Sequence, residues 1–179
     1  MPGAAKTRLI PAIGAAGAAL IHRRLVERTL ATVADSGLPC ELRFTGAARS
    51  DFATWLGNSV MLAEQGDGDL GARMARVQAP AILLGADVPG LEVRHLRAAA
   101  EALVDRDVVV GPAEDGGYYL LGFRQPMPFL FDAMIWGTDR VLAETMRRLA
   151  ARGIDPVTLE TLADLDTPDD LARWPDLMP

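Results

Sequence analysis

The segment Ala81-Ile82-Leu83-Leu84-Gly85-Ala86-Asp87-Val88-Pro89-Gly90 constrains the fold more than any other stretch of the chain. Four consecutive apolar residues, then Gly, Ala and an acid, read as a buried strand that carries one carboxylate to its own C-terminal end. A strand apolar on both faces belongs in a parallel sheet covered by helices on both sides. Ligands of such sheets bind just beyond the carboxyl ends of the strands, where Asp87 falls. Pro89 and Gly90 turn the chain away, and Leu91 to Val104 has the apolar spacing of a helix. Taken alone, this strand leaves two readings of Asp87 open: a site carboxylate, or an acid that hydrogen-bonds its own turn.

Composition narrows the function classes. At 179 residues and 50% hydrophobic, residues 1–179 form one domain with a sizeable core and are too few for two. A net charge of −6 argues against a nucleic-acid partner, which needs a basic face, but leaves room for a small phosphate-bearing ligand held by a few local cations. The single cysteine, Cys40, forms no internal disulfide and is compatible with a reducing, cytoplasmic setting as a core thiol. No apolar run approaches the ~20 residues of a membrane span, and no signal-peptide pattern opens the chain.

In chain order, Met1 to Pro11 is a Gly- and Pro-punctuated loop that brings Lys6, Thr7 and Arg8 together. A lysine, a hydroxyl and an arginine before a helix can grip phosphates by charge and bidentate hydrogen bonds. The glycine spacing of a Walker A loop is absent. Gly14 to Ser36 reads as a helix stopped by Gly37, with His22 a surface or boundary residue. Strands follow at Cys40–Thr45 and Val60–Ala63, with a short helix at Asp51–Leu56 between them. Gln65 to Gly71 is a glycine-rich loop opening another helix, and its Asp67 and Asp69 read as turn formers.

Asp107 to Gly111 reads as another buried strand. It runs into Glu114-Asp115-Gly116-Gly117-Tyr118-Tyr119, where paired glycines admit a ligand close to backbone and the rings supply a wall. A plain hairpin would use the glycines but has no special need of Asp115 and two tyrosines. Trp136 serves core or site equally well. Thr138 or Asp139 is placed to cap a helix over residues 141–149, and residues 154–159 read as a late strand. Near the end, Thr167 and Pro168 with acids behind them make a strong helix start. Capping explains Thr167, Asp169 and Asp170 and leaves Asp164 and Asp166 over. Carboxylates at Asp87, Asp115, Asp164 and Asp166, gathered at one sheet edge opposite Lys6 and Arg8, describe a magnesium-phosphate site. Magnesium takes one or two protein carboxylates and completes its shell with water and phosphate oxygens.

The motifs Pro2-Gly3-x-x-Lys6-Thr7-Arg8-Leu9, Gly68-Asp69-Leu70-Gly71, Gly85-Ala86-Asp87-x-Pro89-Gly90-Leu91, Gly111-Pro112-Ala113-x-Asp115-Gly116-Gly117-Tyr118-Tyr119, Trp136-x-Thr138 and Asp164-x-Asp166-Thr167-Pro168-x-Asp170-Leu171 occur in one order over nearly the whole chain. In this the chain resembles the DUF2064 family, bacterial glycosyltransferase-like proteins of the nucleotide-diphospho-sugar transferase (GT-A) fold. The resemblance implies an α/β domain with a mostly parallel central sheet and helices on both faces. It also implies a nucleotide-sugar or nucleoside-triphosphate substrate, a small-molecule acceptor, and Mg2+ or Mn2+. Carried over motif by motif, Lys6, Thr7 and Arg8 hold phosphates. Asp87 and Asp115 are the catalytic acids, with Asp87 and Asp166 as metal contacts. Gly116, Gly117, Tyr118 and Trp136 line the sugar or acceptor pocket.

Two departures stand out. Trp136-Gly137-Thr138 has Gly where the family pattern has Ser. Family members also begin with an apolar strand before the Pro-Gly loop, whereas Met1 here opens on the loop itself. The expectation is a sheet lacking an interior strand, with the gap closed by strands shifting together, by a partner chain as in a homodimer, or by residues that precede Met1. Glycosyl transfer is favoured over nucleotidyl transfer, because Pro2-Gly3-Ala4-Ala5-Lys6 is shorter than the loop nucleotidyltransferases use. A binding protein with a decayed site is the third reading.

Overall fold

The computed structural model describes residues 3, 5–57 and 59–178. Its centre is a hairpin. β4 (Val108–Pro112) is buried along its whole length and returns through residues 113–117 as β5 (Tyr118–Phe123). β3 (Ala81–Leu84) pairs with the other edge of β5, antiparallel, and β6 (Val157–Thr158) lies parallel to β4, giving the order β3-β5-β4-β6. A separate two-stranded parallel sheet joins β1 (Glu41–Phe44) to β2 (Met61–Glu64) in register. Among the described residues, no strand pairs with the second edge of β1 or of β3.

The sheet is therefore mixed, which corrects the expectation of a mostly parallel one. The valine run of β4 and the apolar run of β3 do mark strands with covered faces. What reverses the direction is β5, an interior strand antiparallel to both neighbours. Its Tyr118-Tyr119 opening reads in the sequence as a ligand wall, so the strand behind it goes unseen.

Side chains alternate across the central strands with the period of two that a strand imposes. Val108, Val110, Leu121 and Phe123 face a cluster with Leu149 of α5 (Val141–Ala150). Val109 and Leu120 face the opposite cluster, with Leu96 and Ala99 of α4 (Val93–Asp105) and Val33 of α1 (Ile10–Ser36). Helices thus cover both faces, as expected. The helix α1 is interrupted at Gly14 (φ 72°, ψ 167°) and ends at Gly37 (φ 80°), a left-handed stop that glycine supplies without strain. Its stripe Ala18, Ile21 and Leu25 packs on Leu165, Leu171 and Leu177 of the C-terminal segment. By length and composition alone the helical stretch Thr7–Ser36 is apolar enough to cross a membrane, a test that a core helix also passes, and its stripe is packed here against the C-terminal segment.

The shorter elements are α2 (Arg49–Leu56), α3 (Leu70–Ala75) and α6 (Pro168–Leu171). Asp69 caps α3 by accepting from Ala72 N at 2.8 Å. Thr167 and Asp170 close the start of α6, the Asp170 carboxylate accepting from Thr167 N at 2.7 Å and Oγ1 at 2.8 Å. Neither Thr138 nor Asp139 caps α5. Arg140 holds the cap position, and the Thr138 hydroxyl donates to Ile135 O.

Candidate functional site

β3 ends where the sequence places it, and Asp87 stands just past its C-terminal end, half-exposed. Four connections gather other residues around this acid. The Gly85 N–H donates to Tyr119 O, which brings the start of β5 to the same edge. The Leu165 N–H donates to Asp87 O at 2.8 Å, which lays residues 164–166 across it. Upstream of that crossing, Leu162 N bonds Pro112 O and Glu114 N bonds Leu162 O, so the segment continues alongside the end of β4. Finally, the N-terminal loop folds over the edge and delivers Lys6.

Lys6 is the centre of the charge arrangement. Its Nζ lies 2.7 Å from Asp87 Oδ1 and 3.2 Å from Asp166 Oδ1, with the side chain only 4% exposed. Arg8 Nη1 reaches the other oxygen of Asp166 at 3.0 Å from an exposed position. Lys6 also adopts the left-handed conformation (φ 50°, ψ 46°), which costs a side-chain-bearing residue about 1–2 kcal/mol and persists where the surroundings over-determine it. Thr7 and Arg8 follow in a 3-10 turn ending at the fully buried Leu9, which pins the loop to the core. Thr7 is exposed. Pro2 of the loop motif lies outside the described residues.

The remaining acids flank this group. Asp115 is exposed, and its Oδ1 accepts from Gly117 N at 2.8 Å, fixing the turn. Asp164 is half-buried. Burial first, and the Asp115 charge second, push its carboxyl above the usual carboxylate range, with Asp170 and Asp166 adding to the effect. Asp164 thus feels the charges of both Asp115 and Asp166.

The paired glycines and the aromatic residues serve packing in this structure. Gly116 (φ 87°) leaves no room for a side chain, because a Cβ there would lie 2.3 Å from Asp139 O. Its carbonyl accepts from Leu142 N, which docks the turn onto the start of α5. Gly117 faces the Asp115 carboxylate. Tyr118 and Trp136 pack against the cluster around Leu121 and Phe123. The Tyr118 hydroxyl and Trp136 Nε1 are buried and have no hydrogen-bond partner among the described residues, and burial pushes the Tyr118 phenol upward. Gly71 lets α3 approach Trp136, since a Cβ there would lie 2.9 Å from Nε1. The structure thus brings Lys6, Arg8, Asp87 and Asp166 into contact and places Asp115 and Asp164 beside them. It puts Tyr118 and Trp136 in an apolar cluster on the α5 face.

Residues 29–138 match a family described as uncharacterized proteins conserved in bacteria, DUF2064. The chain belongs to the DUF2064 family. A crystal structure of a protein from Desulfovibrio desulfuricans G20 shares the fold with a TM-score of 0.86 and 30% sequence identity. The match covers 93% of this chain and 78% of that one, whose description reads "putative nucleotide-diphospho-sugar transferase". No curated protein matches the chain.

One neighbour of the site escapes the sequence reading of this DUF2064 protein. His22, read there as a surface or boundary residue, is half-buried. Burial, the largest effect, lowers its imidazole below the ordinary value; Asp87 opposes the shift and Lys6 adds to it, so the ring sits within range of both charges. A signal existed. Ala18, His22 and Leu25 fall at helical spacing on one stripe of α1, and two of the three are core residues. His95, the other histidine, is a structural residue. Its Nδ1 accepts from Glu92 N at 2.9 Å at the start of α4, and its buried Nε2 lies 3.3 Å from Glu160.

Proposed function

We propose that this protein transfers a sugar from a nucleotide-diphospho-sugar donor to a small-molecule acceptor, with a divalent cation at Asp87 and Asp166. The observation that carries the reading is the meeting of two cations and two carboxylates at the C-terminal end of β3, with Lys6 Nζ between Asp87 and Asp166. The fold shared with the Desulfovibrio desulfuricans protein supports the donor class.

The donor set fits a hard cation. Asp87 and Asp166 each bring an oxygen to one point, and a positive charge already lies there in the form of the Lys6 ammonium. No group of three or more His, Cys, Asp or Glu residues suited to a metal occurs among the described residues. Magnesium takes one or two protein carboxylates and keeps water and substrate phosphate in its shell, so two acids suffice for the proposed site. When bound, the cation would neutralise charge developing on the departing diphosphate.

The chain's own residues supply the rest. Arg8, exposed and forked, can grip a phosphate in two places, and Lys6 offers a point charge beside it. Fixed donors of this kind act where charge develops as the bond from the anomeric carbon to the diphosphate breaks. Asp115 uses one carboxylate oxygen on Gly117 N and retains the other to accept the acceptor hydroxyl proton as the new bond to the anomeric carbon forms.

The test is a thermal-shift panel of nucleotide-sugars and nucleoside triphosphates, with and without magnesium or manganese. A nucleotide-sugar that raises Tm only when the cation is present is the expected result. Stabilisation by triphosphates alone would replace glycosyl transfer by nucleotidyl transfer, and stabilisation by neither would remove the nucleotide reading.

A further inference from the structure

Lys6 is the only lysine in the chain, all seventeen other basic residues being arginine. That lysine is the one basic side chain placed between Asp87 and Asp166, with a 4% exposed stem. The choice has a physical reason. An ammonium is a compact point charge with three donors free to point at separate acceptors, whereas a guanidinium is a wide planar fork suited to one carboxylate edge-on. The compact ammonium occupies a single point between two carboxylates, as a small metal ion would, whereas Arg94 spans Glu92 and Glu160 with two separate nitrogens.

We infer that the Lys6 ammonium is the resident counter-ion of the cation site, and that a divalent cation can take Asp87 and Asp166 together only by displacing it. The inference rests on the assignment of these two acids to the cation proposed above. A dication and an ammonium cannot share two oxygens at contact distance, because their mutual repulsion acts at the same short range as the attraction each feels for the carboxylates. Metal–oxygen distances of about 2.1 Å would also draw the two carboxylates closer than the 2.7 and 3.2 Å they keep from Nζ. Arg8 is tied to the second oxygen of Asp166, so both basic residues of the loop are held by the acids.

The displaced ammonium needs another anion. In the reading above that anion is the donor's diphosphate. Cation and diphosphate therefore bind as a coupled pair: the metal releases Lys6 from the acids, and the phosphates hold it once released. By linkage, each raises the affinity of the other by the same factor. Lys6 is in this sense a positioning residue that sets the order of assembly.

The single lysine makes the exchange measurable in the unmodified protein. Amine acylation followed by mass spectrometry reports the reactivity of Lys6, with the terminal amine as internal reference. Addition of Mg2+ alone should raise the Lys6 rate at least fivefold relative to that reference. Independently, titration with Mn2+ followed by electron paramagnetic resonance should show at least tenfold tighter binding by Lys6→Met than by the parent chain. The acylation arm does not depend on the variant folding. Bound Mn2+ with an unchanged Lys6 rate overturns the inference, as does equal or weaker Mn2+ binding by a folded Lys6→Met, or no Mn2+ binding by either. Metal-triggered release of Lys6 without affinity for any nucleotide-sugar would uphold the exchange and reject the donor assignment. Nucleotide-sugar binding with Lys6 protected throughout would do the reverse.

Discussion

The two sheets differ sharply. In the four-stranded part, β4 is buried along its whole length and β5 from its second residue onward, and side chains pack from both faces. In the two-stranded part, Met61 is 67% exposed, and α2, which packs beside β2, has no buried residue. β3 belongs to the first part by pairing but resembles the second in burial, all four of its residues being half-covered. The difference teaches where stability lies and where the site lies. The hairpin β4–β5, covered by helices on both faces, is the heart of the core, and Asp87 stands at its rim, past the end of the half-covered edge strand β3.

A matched pair of truncations probes this contrast most strongly. Leu121, fully buried in β5, should cost about 2–5 kcal/mol on replacement by Ala, lowering Tm by about 5–15 °C. Leu62 of β2, half-buried, should cost less than about 1 kcal/mol on the same change. Comparable losses in thermal unfolding would show that the two-stranded part is as well integrated as the core.

The contrast also explains what the sequence discloses. Runs such as Ile82-Leu83-Leu84 and Val108-Val109-Val110 announce strands, because burial of both faces leaves no polar alternation to obscure them. The direction of those strands is hidden, since burial on two faces does not depend on whether the neighbour is parallel. The hairpin through Gly116 and Gly117 is legible as a turn, yet residues chosen for close packing against Asp139 look the same as residues chosen for close approach of a ligand. Lys6 and Asp87 illustrate a different limit. Each stands out in its own segment, but nothing in local spacing indicates that 81 positions apart they share a 2.7 Å ion pair. Only the shared motif order of the family places them together. His22 reads as a surface or boundary residue and is half-buried, but nothing in the sequence places it near Asp87 and Lys6.

A middle-sized effect concerns the open edges of β1 and β3. Unpaired buried backbone groups cost about 1–3 kcal/mol each. An added apolar strand that paired with either edge should raise Tm by about 3 °C or more. Hydrogen exchange should then slow selectively in β1 and β3. Unchanged protection in those strands would mean that the edges need no partner.

The smallest expected effect is at Asp164. Its carboxyl is held above the ordinary range, so the unfolded chain gives up this proton first and stability falls as pH rises through the carboxylate range. Asp164→Asn removes that dependence. Its Tm should match the parent near pH 3 and exceed it by about 1–3 °C near pH 7. A variant less stable than the parent at neutral pH would show that the Asp164 charge is needed rather than tolerated.

The central claim is that the carboxylate at the end of β3 holds a cation for a nucleotide-sugar. Isothermal titration of a nucleotide-sugar into the parent chain and into Asp87→Asn, each with and without magnesium, tests it most directly. Asn keeps the size and hydrogen bonding of Asp and removes the charge a hard cation requires. The account predicts magnesium-dependent binding by the parent and loss of that dependence in Asp87→Asn, whose fold is unchanged by circular dichroism. Equal affinity of the two proteins in magnesium would contradict it.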